Sequence, residues 1–179
     1  MKYFLCIILA LPFTAGAQLV KNTVKTDSLN GRPVYYYLNL EDVGSIAKSF
    51  YSGQLGIGDN EETKGIIDSI FTDNEETLPF FLYNFNRLLA IADKTTVEDA
   101  GTEAKDFILK NPCFFFKSLQ DAHFYITIKT WVQPIGYTIG TKKALDAWVA
   151  QVEPALLANC KQYLADWNDF KTQLAKEIS

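Results

Sequence analysis

Residues 77–93, TLPFFLYNFNRLLAIAD, carry the densest helical pattern in the chain. Leu78, Phe81, Leu82, Phe85, Leu88, Leu89 and Ala92 recur at the i, i+3, i+4, i+7 spacing of one helix face, and Phe80, Tyr83 and Ile91 add apolar bulk on the flanks. A helix apolar over so much of its girth predicts burial, with the other elements packed around it. Thr77 stands as its N-cap, which leaves Pro79 in the first turn, where no amide hydrogen is needed.

Helical spacing recurs on both sides of this segment. Asn39 caps an expected helix over 39–51, with Leu40, Val43, Ile46, Ala47 and Phe50 on its buried face and Gly53 as a left-handed stop. The sequence DNEET at 59–63 returns at 73–77; both copies stand at expected helix starts, the first leading into a short helix through GIIDSIF. Fourteen residues is too short a period for stacked repeats, so the match is read as shared capping chemistry. A capping box from Thr96 to Asp99 opens a helix that stops before Pro112, with Val97, Ala100, Ala104, Phe107 and Ile108 as its stripe. A short helix over 112–119 follows and holds Cys113 and the run Phe114, Phe115, Phe116.

Residues 121–133 fit a strand by alternation and a helix by i, i+4 spacing; the helix is favoured because a strand here has only the N-terminal ribbon to pair with. PIGYTIG, 134–140, reads as a loop. Thr141 caps a final stripe running from Leu145 through Trp148, Leu156, Cys160 and Trp167 to Ile178, and Pro154 is expected to divide it into a short helix and a long one. Before all of these, residues 18–38 place β-branched and aromatic residues on both sides of the turn signal Ser28-Leu29-Asn30-Gly31, which predicts either a short hairpin or an extended arm, with Tyr35, Tyr36 and Tyr37 on a strand covering the core.

The first residues, MKYFLCIILALPFTAGAQ, have one Lys, an apolar run and small residues at Ala15 and Ala17, the pattern of a secretory signal peptide over 1–17 cut near Ala17. Cleavage leaves 162 residues, one domain by length, destined for the periplasm or secretion. No stretch reaches the roughly 18 consecutive apolar residues of a membrane span, so no retained anchor is expected. Cleavage also removes Cys6. The even pair that remains, Cys113 and Cys160, fits one disulfide in an oxidising compartment, the alternative being two separate buried thiols.

Charge changes the picture locally. The mature chain has 16 Lys and Arg against 21 Asp and Glu, and residues 59–76 alone hold seven acids against Lys64. That net −6 exceeds the −5 of the whole mature chain, so the rest sums to about +1. An acidic protein does not suit nucleic acid, which needs a positive surface to release counterions. Asp59, Glu61, Glu62, Asp73, Glu75 and Glu76 at the two DNEET starts are instead candidate contacts for a basic protein partner; a solvated pair of helix N-termini is the plain structural reading of the same residues.

The catalytic inventory is short. His123 is the chain's one histidine and no Cys-x-x-Cys is present, which excludes zinc sites built on several His or paired Cys; no metal or cofactor is expected. The acidic run lacks the central Gly and terminal Glu of an EF-hand loop, and the glycines of SGQLGIGD, 52–59, lack the Lys-Ser/Thr of a phosphate loop. A Cys-His dyad fails if the cysteines are bonded to each other, and no Gly-x-Ser-x-Gly elbow supports a Ser-His-Asp triad. The remaining enzyme chemistry is a pair of carboxylates, for which Asp68 on its short apolar helix is the residue to examine for burial.

These readings predict a mainly α, single-domain irregular bundle of about six to seven helices over 39–179, with helical-repeat-like packing as one variant and a hairpin or arm before it. The expected function is that of an exported, non-enzymatic binding protein, for instance an immunity-type inhibitor of a toxin acting in the periplasm. The alternatives are a carboxylate-based cell-wall glycan hydrolase and a structural component of an envelope complex.

Overall fold

The computed structural model describes residues 25–178, so the expected signal peptide at 1–17 and the first part of the arm lie outside the described residues. The chain is a mainly α bundle around one core, with a two-stranded antiparallel hairpin at the start. In the hairpin, β1 (Ser28–Leu29) pairs with β2 (Arg32–Pro33), Leu29 opposite Arg32. Asn30 (φ 48°) and Gly31 (φ 75°) supply the two left-handed positions that such a tight turn requires.

The tyrosine triple is not on a strand. It forms a short helix, α1 (Val34–Leu38), because Pro33 sets an extended entry and Asn39 ends the turn, its side chain donating to the Tyr35 carbonyl. Tyr37 alone of the three is buried; it stacks on Phe80 and donates to the Leu29 carbonyl at 2.9 Å, which fastens the hairpin to the core. Asn39 therefore closes one helix and does not open the next, and α2 (Ser45–Ser52) starts six residues later from Gly44, ending at Gly53 (φ 76°). Val43, in the connection, is fully buried.

Next comes α3 (Glu61–Asp68), capped by Asn60, which accepts from the Thr63 amide at 2.8 Å. The central helix, α4 (Leu78–Ile91), is buried at every position from Leu78 to Leu89. Thr77 precedes it in near-helical geometry without a side-chain cap; Asn74 organises the entry instead, accepting from the Glu76 amide at 2.9 Å. The two DNEET copies thus both turn the chain through their Asn, at different points of the turn.

The helix expected over 96–111 is two, α5 (Lys94–Asp99) and α6 (Gly101–Lys110), and its cap is Asp93 and not Thr96, which is buried and donates its amide to Asp93 at 2.9 Å. This division and the unexpected α1 make the helices more numerous than six or seven. Then α7 (Pro112–Leu119) buries Phe115 and Phe116 and leaves Phe114 half-buried. Residues 121–127 form a 3-10 turn and an extended link, and α8 (Ile128–Ile139) begins at its Thr127 cap. The expected loop at 134–140 is helix: Trp131, Val132, Ile135 and Ile139 form a buried stripe across Pro134, and Gly140 (φ 64°) stops it. Pro154 likewise lies inside α9 (Lys142–Asn159), where Trp148, Val152 and Leu156 pack on both sides of it; the break comes at Cys160, before α10 (Leu164–Ile178).

Glycines set the closest helix approaches. A Cβ on Gly101 would stand 2.3 Å from the Pro134 carbonyl oxygen and 2.3 Å from the Thr138 hydroxyl, so α6 meets α8 only because no side chain intervenes. Cys113 and Cys160 are joined as a disulfide with Cα atoms 5.6 Å apart, tying the first turn of α7 to the end of α9. Among the described residues no helix is long and apolar enough to cross a membrane.

Two outcomes follow from this packing. Gly101→Ala gains about 1 kcal/mol of helix propensity but forces α6 from α8, and we expect a net loss of about 1–3 kcal/mol by urea denaturation. Replacing both cysteines by Ala is expected to cost about 2–4 kcal/mol in the same assay; an unchanged midpoint would mean that the bond does not constrain the unfolded chain.

Candidate functional site

A cleft of about 450 Å³ opens between the loop and helix around α3 on one side and α5 with the start of α6 on the other. Asp59, Lys64 and Asp68 stand on the first wall; Asp93, Asp99 and Glu103 stand on the second. Five of these six are carboxylates, and the one cation, Lys64, is engaged with Glu61 at 3.4 Å.

The acids differ in how the fold treats them. Asp93 is committed to capping: the Thr96 amide, its main partner, holds its carboxyl below the usual aspartate range. The positive ends of the helix dipoles favour acids at helix starts; Asp68 instead ends α3, where cations are preferred, and Asp99 ends α5 directly before the Ala100 cap of α6. Glu103 is half-buried, and its Oε2 is buried without a hydrogen-bond partner. Burial pushes its carboxyl up, and the charges of Asp68, Asp106 and Asp99 push it further, against the lowering effect of its own amide. Among the described residues Asp59, Asp68, Asp99 and Glu103 have no ion-pair partner. The cleft is a concentration of uncompensated negative charge.

Of the six acids singled out by sequence, Asp59 alone lines this cleft. Glu61 pairs with Lys64, and Glu62 and Glu75 are exposed. Asp73 pairs with Lys110 at 2.7 Å, and that bond holds its carboxyl low. Glu76 binds Arg32 at 3.0 Å and accepts from the Tyr36 hydroxyl, while the Arg32 guanidinium lies over the Tyr36 ring. The second DNEET copy is thereby tied to the hairpin and to α6, and much of its charge is spent inside the molecule. Asp68, the carboxylate singled out for burial, is exposed.

Sequence reading missed Asp99 and Glu103. A signal was present for Glu103: it lies three residues after Ala100 and four before Phe107, on the edge of the apolar stripe, where a carboxylate is out of place. His123 is at the surface with Nδ1 2.8 Å from Asp121, and Cys113 and Cys160 are in the disulfide, so neither forms a Cys-His dyad with it. Among the described residues no group of three or more His, Cys, Asp or Glu is arranged to hold a metal ion.

The raised Glu103 carboxyl makes a stability prediction. Its folded pKa lies above the ordinary value of 4.5, so the stability tied to it is whole below that value and is lost as pH rises through the folded pKa. Glu103→Gln cannot ionise and is expected to melt above wild type at pH 7, the two converging toward pH 4 in thermal denaturation followed by circular dichroism. Compared with known proteins, the chain matches no family, no curated protein and no solved structure.

Proposed function

We propose that the protein is an exported binding protein that takes a basic side chain of a protein partner into the acidic cleft, one form of which is an immunity-type inhibitor of a toxin acting in the periplasm. The observation that carries this reading is the buried, unpartnered Oε2 of Glu103 among the unpaired Asp68 and Asp99. Like charges in a half-enclosed space repel one another, and an incoming ammonium or guanidinium relieves that repulsion. Export is supported by the signal-type pattern of residues 1–17 and by the disulfide, a bond that persists in oxidising compartments.

A second reading, glycan hydrolysis by two carboxylates, draws on one specific observation: Glu103 is raised and Asp93 lowered within one cleft, the split that acid and base roles need. Two features weigh against it. Asp93 is occupied as a helix cap, and no aromatic ring lines the cleft to stack on a sugar.

The test is capture of partners from the producing cell on immobilised protein, with mass spectrometry and titration of the partner recovered. Asp68→Asn, Asp99→Asn and Glu103→Gln together are expected to weaken binding at least tenfold, about 1.4 kcal/mol, and to flatten its salt dependence. Glu62→Gln with Glu75→Gln, outside the cleft, is expected to change affinity little. Equal affinity of the triple variant would remove the cleft from the interface, and release of soluble sugar from cell-wall glycan by wild type but not by Glu103→Gln would establish the second reading.

A further inference from the structure

At the tip of the hairpin, we propose that Asn30 is a self-modifying site, where the side-chain amide is exchanged for a carboxylate by the chain itself with the help of Lys117. The reaction is attack by the backbone nitrogen of the next residue on the carboxamide carbon. Three features favour it. The next residue is Gly31, so no side chain obstructs the approach, and the tip is open enough that a Cβ built on Gly31 would meet nothing within 4 Å. Among the described residues the Gly31 amide is in no hydrogen bond, and Asn30 is exposed to the hydroxide that must take its neighbour's proton. The Asn30 carboxamide oxygen, finally, accepts from Lys117 Nζ at 3.1 Å, a contact between positions 87 apart.

That ammonium stands where charge develops. As the Gly31 nitrogen loses its proton and bonds to Asn30 Cγ, the carbonyl electrons move onto Oδ1, the oxygen that Lys117 holds. The electrons return, the Cγ–Nδ2 bond breaks, and ammonia leaves with a proton from water, closing a five-membered imide. Water then opens the ring at one of its two carbonyls. One opening gives aspartate; the other gives isoaspartate, whose main chain runs through the former side chain. Lys117 is in no ion pair among the described residues, so its charge is not committed elsewhere.

Other asparagines lack this combination. Asn30-Gly31 is the one Asn-Gly in the sequence. Asn111 precedes Pro112, which has no amide proton to lose, and Asn84 and Asn86 are buried within α4, where the helix ladder holds the following amide. The two products differ in consequence. Aspartate tolerates the left-handed backbone of position 30 and turns the Lys117 contact into an ion pair. Isoaspartate adds a main-chain carbon to a two-residue turn, which undoes the Leu29–Arg32 pairing and with it the hold of Tyr37 on the Leu29 carbonyl. The modification divides the molecules into a tightened hairpin and a released one, and it is independent of the acidic cleft.

The test keeps the folded protein in warm, mildly alkaline buffer, digests it, and follows every Asn peptide by mass spectrometry, with aspartate and isoaspartate forms separated by chromatography. The Asn30 peptide is expected to convert at least about tenfold faster than any other. Lys117→Met, at an exposed position, is expected to slow that conversion at least about threefold in the folded protein, with an unchanged far-ultraviolet spectrum, and to leave it unchanged when both proteins are unfolded in guanidinium chloride. The proposal is overturned if Asn30 converts no faster than the other asparagines, if Lys117→Met converts as fast as wild type, if the two still differ when unfolded, or if ammonia is lost into a cross-link between Lys117 and Asn30.

Discussion

The structure depends on one constraint: a helix buried on every side must have its polar groups satisfied by whatever covers it. Between Leu78 and Leu89, α4 has no solvent face, yet it carries Asn84, Asn86 and Arg87 in its middle. Each becomes a fastening through one donor, while Asn84 Oδ1 and Arg87 Nε are buried without a hydrogen-bond partner. The Asn84 amide donates to the Ala47 carbonyl of α2, the Asn86 amide to the Phe124 carbonyl before α8, and Arg87 to the Tyr51 carbonyl at 3.0 Å. Tyr83 completes the set by accepting from the Thr26 amide ahead of the hairpin. Apolar burial drives the neighbours onto α4, but that attraction has no direction; these hydrogen bonds fix which element lies where, since a buried polar group left unmet costs about 1–3 kcal/mol.

The same constraint shapes the exterior. With α2, α3, α8 and the hairpin packed toward α4, the short helices α3 and α5 still present their termini outward, and short helices are mostly ends. Ends need caps, which is why acids and Asn collect there: Asn60 and Asp93 each hold an amide three residues on. The acidic cleft arises where two such helices flank one space and bring their C-terminal aspartates, Asp68 and Asp99, toward Glu103. Its charge is thus partly a consequence of capping chemistry and partly in excess of it, and the excess is the part with a functional reading.

Periodicity made the fold class legible because the stripes of α4, α9 and α10 are long and unambiguous. Local and compositional signals also indicated the Gly53 stop, a turn ending at Asn30-Gly31 and, as one of two readings, the pairing of Cys113 with Cys160. What these signals misread was decided by tertiary packing. Pro134 and Pro154 break isolated helices, but the buried stripes on both sides of each offset the lost hydrogen bond. Tyr35, Tyr36 and Tyr37 carry β propensity, yet the stacking of Tyr37 on Phe80 is reached from a helical turn. At the site, the run over 59–76 drew attention to charge density along the chain, whereas electrostatics acts through space: Asp73 and Glu76 are neutralised by Lys110 and Arg32, distant in sequence, and Asp68 gains its neighbours from residues about thirty positions on.

Two side chains show the difference between a polar group kept for the fold and one kept in spite of it. Arg87 is 5% exposed and has no carboxylate partner among the described residues, but the rings of Phe50, Tyr83 and Tyr51 lie 5.2, 5.7 and 6.0 Å from its guanidinium, and one of its nitrogens is bonded to a carbonyl. Guanidinium is weakly hydrated and suited to aromatic faces, so the surroundings compensate for most of what burial removes. Both residues keep one buried atom without a partner, Arg87 Nε and Glu103 Oε2, but where Arg87 has aromatic rings and a carbonyl around it Glu103 has other carboxylates. Only its own backbone amide favours its charge, and a glutamine would fill the same space without that charge. Packing therefore accounts for Arg87 and fails to account for Glu103. Under the proposed function a bound cation would remove the cost of this carboxylate, and binding, not folding, would be the reason to keep it.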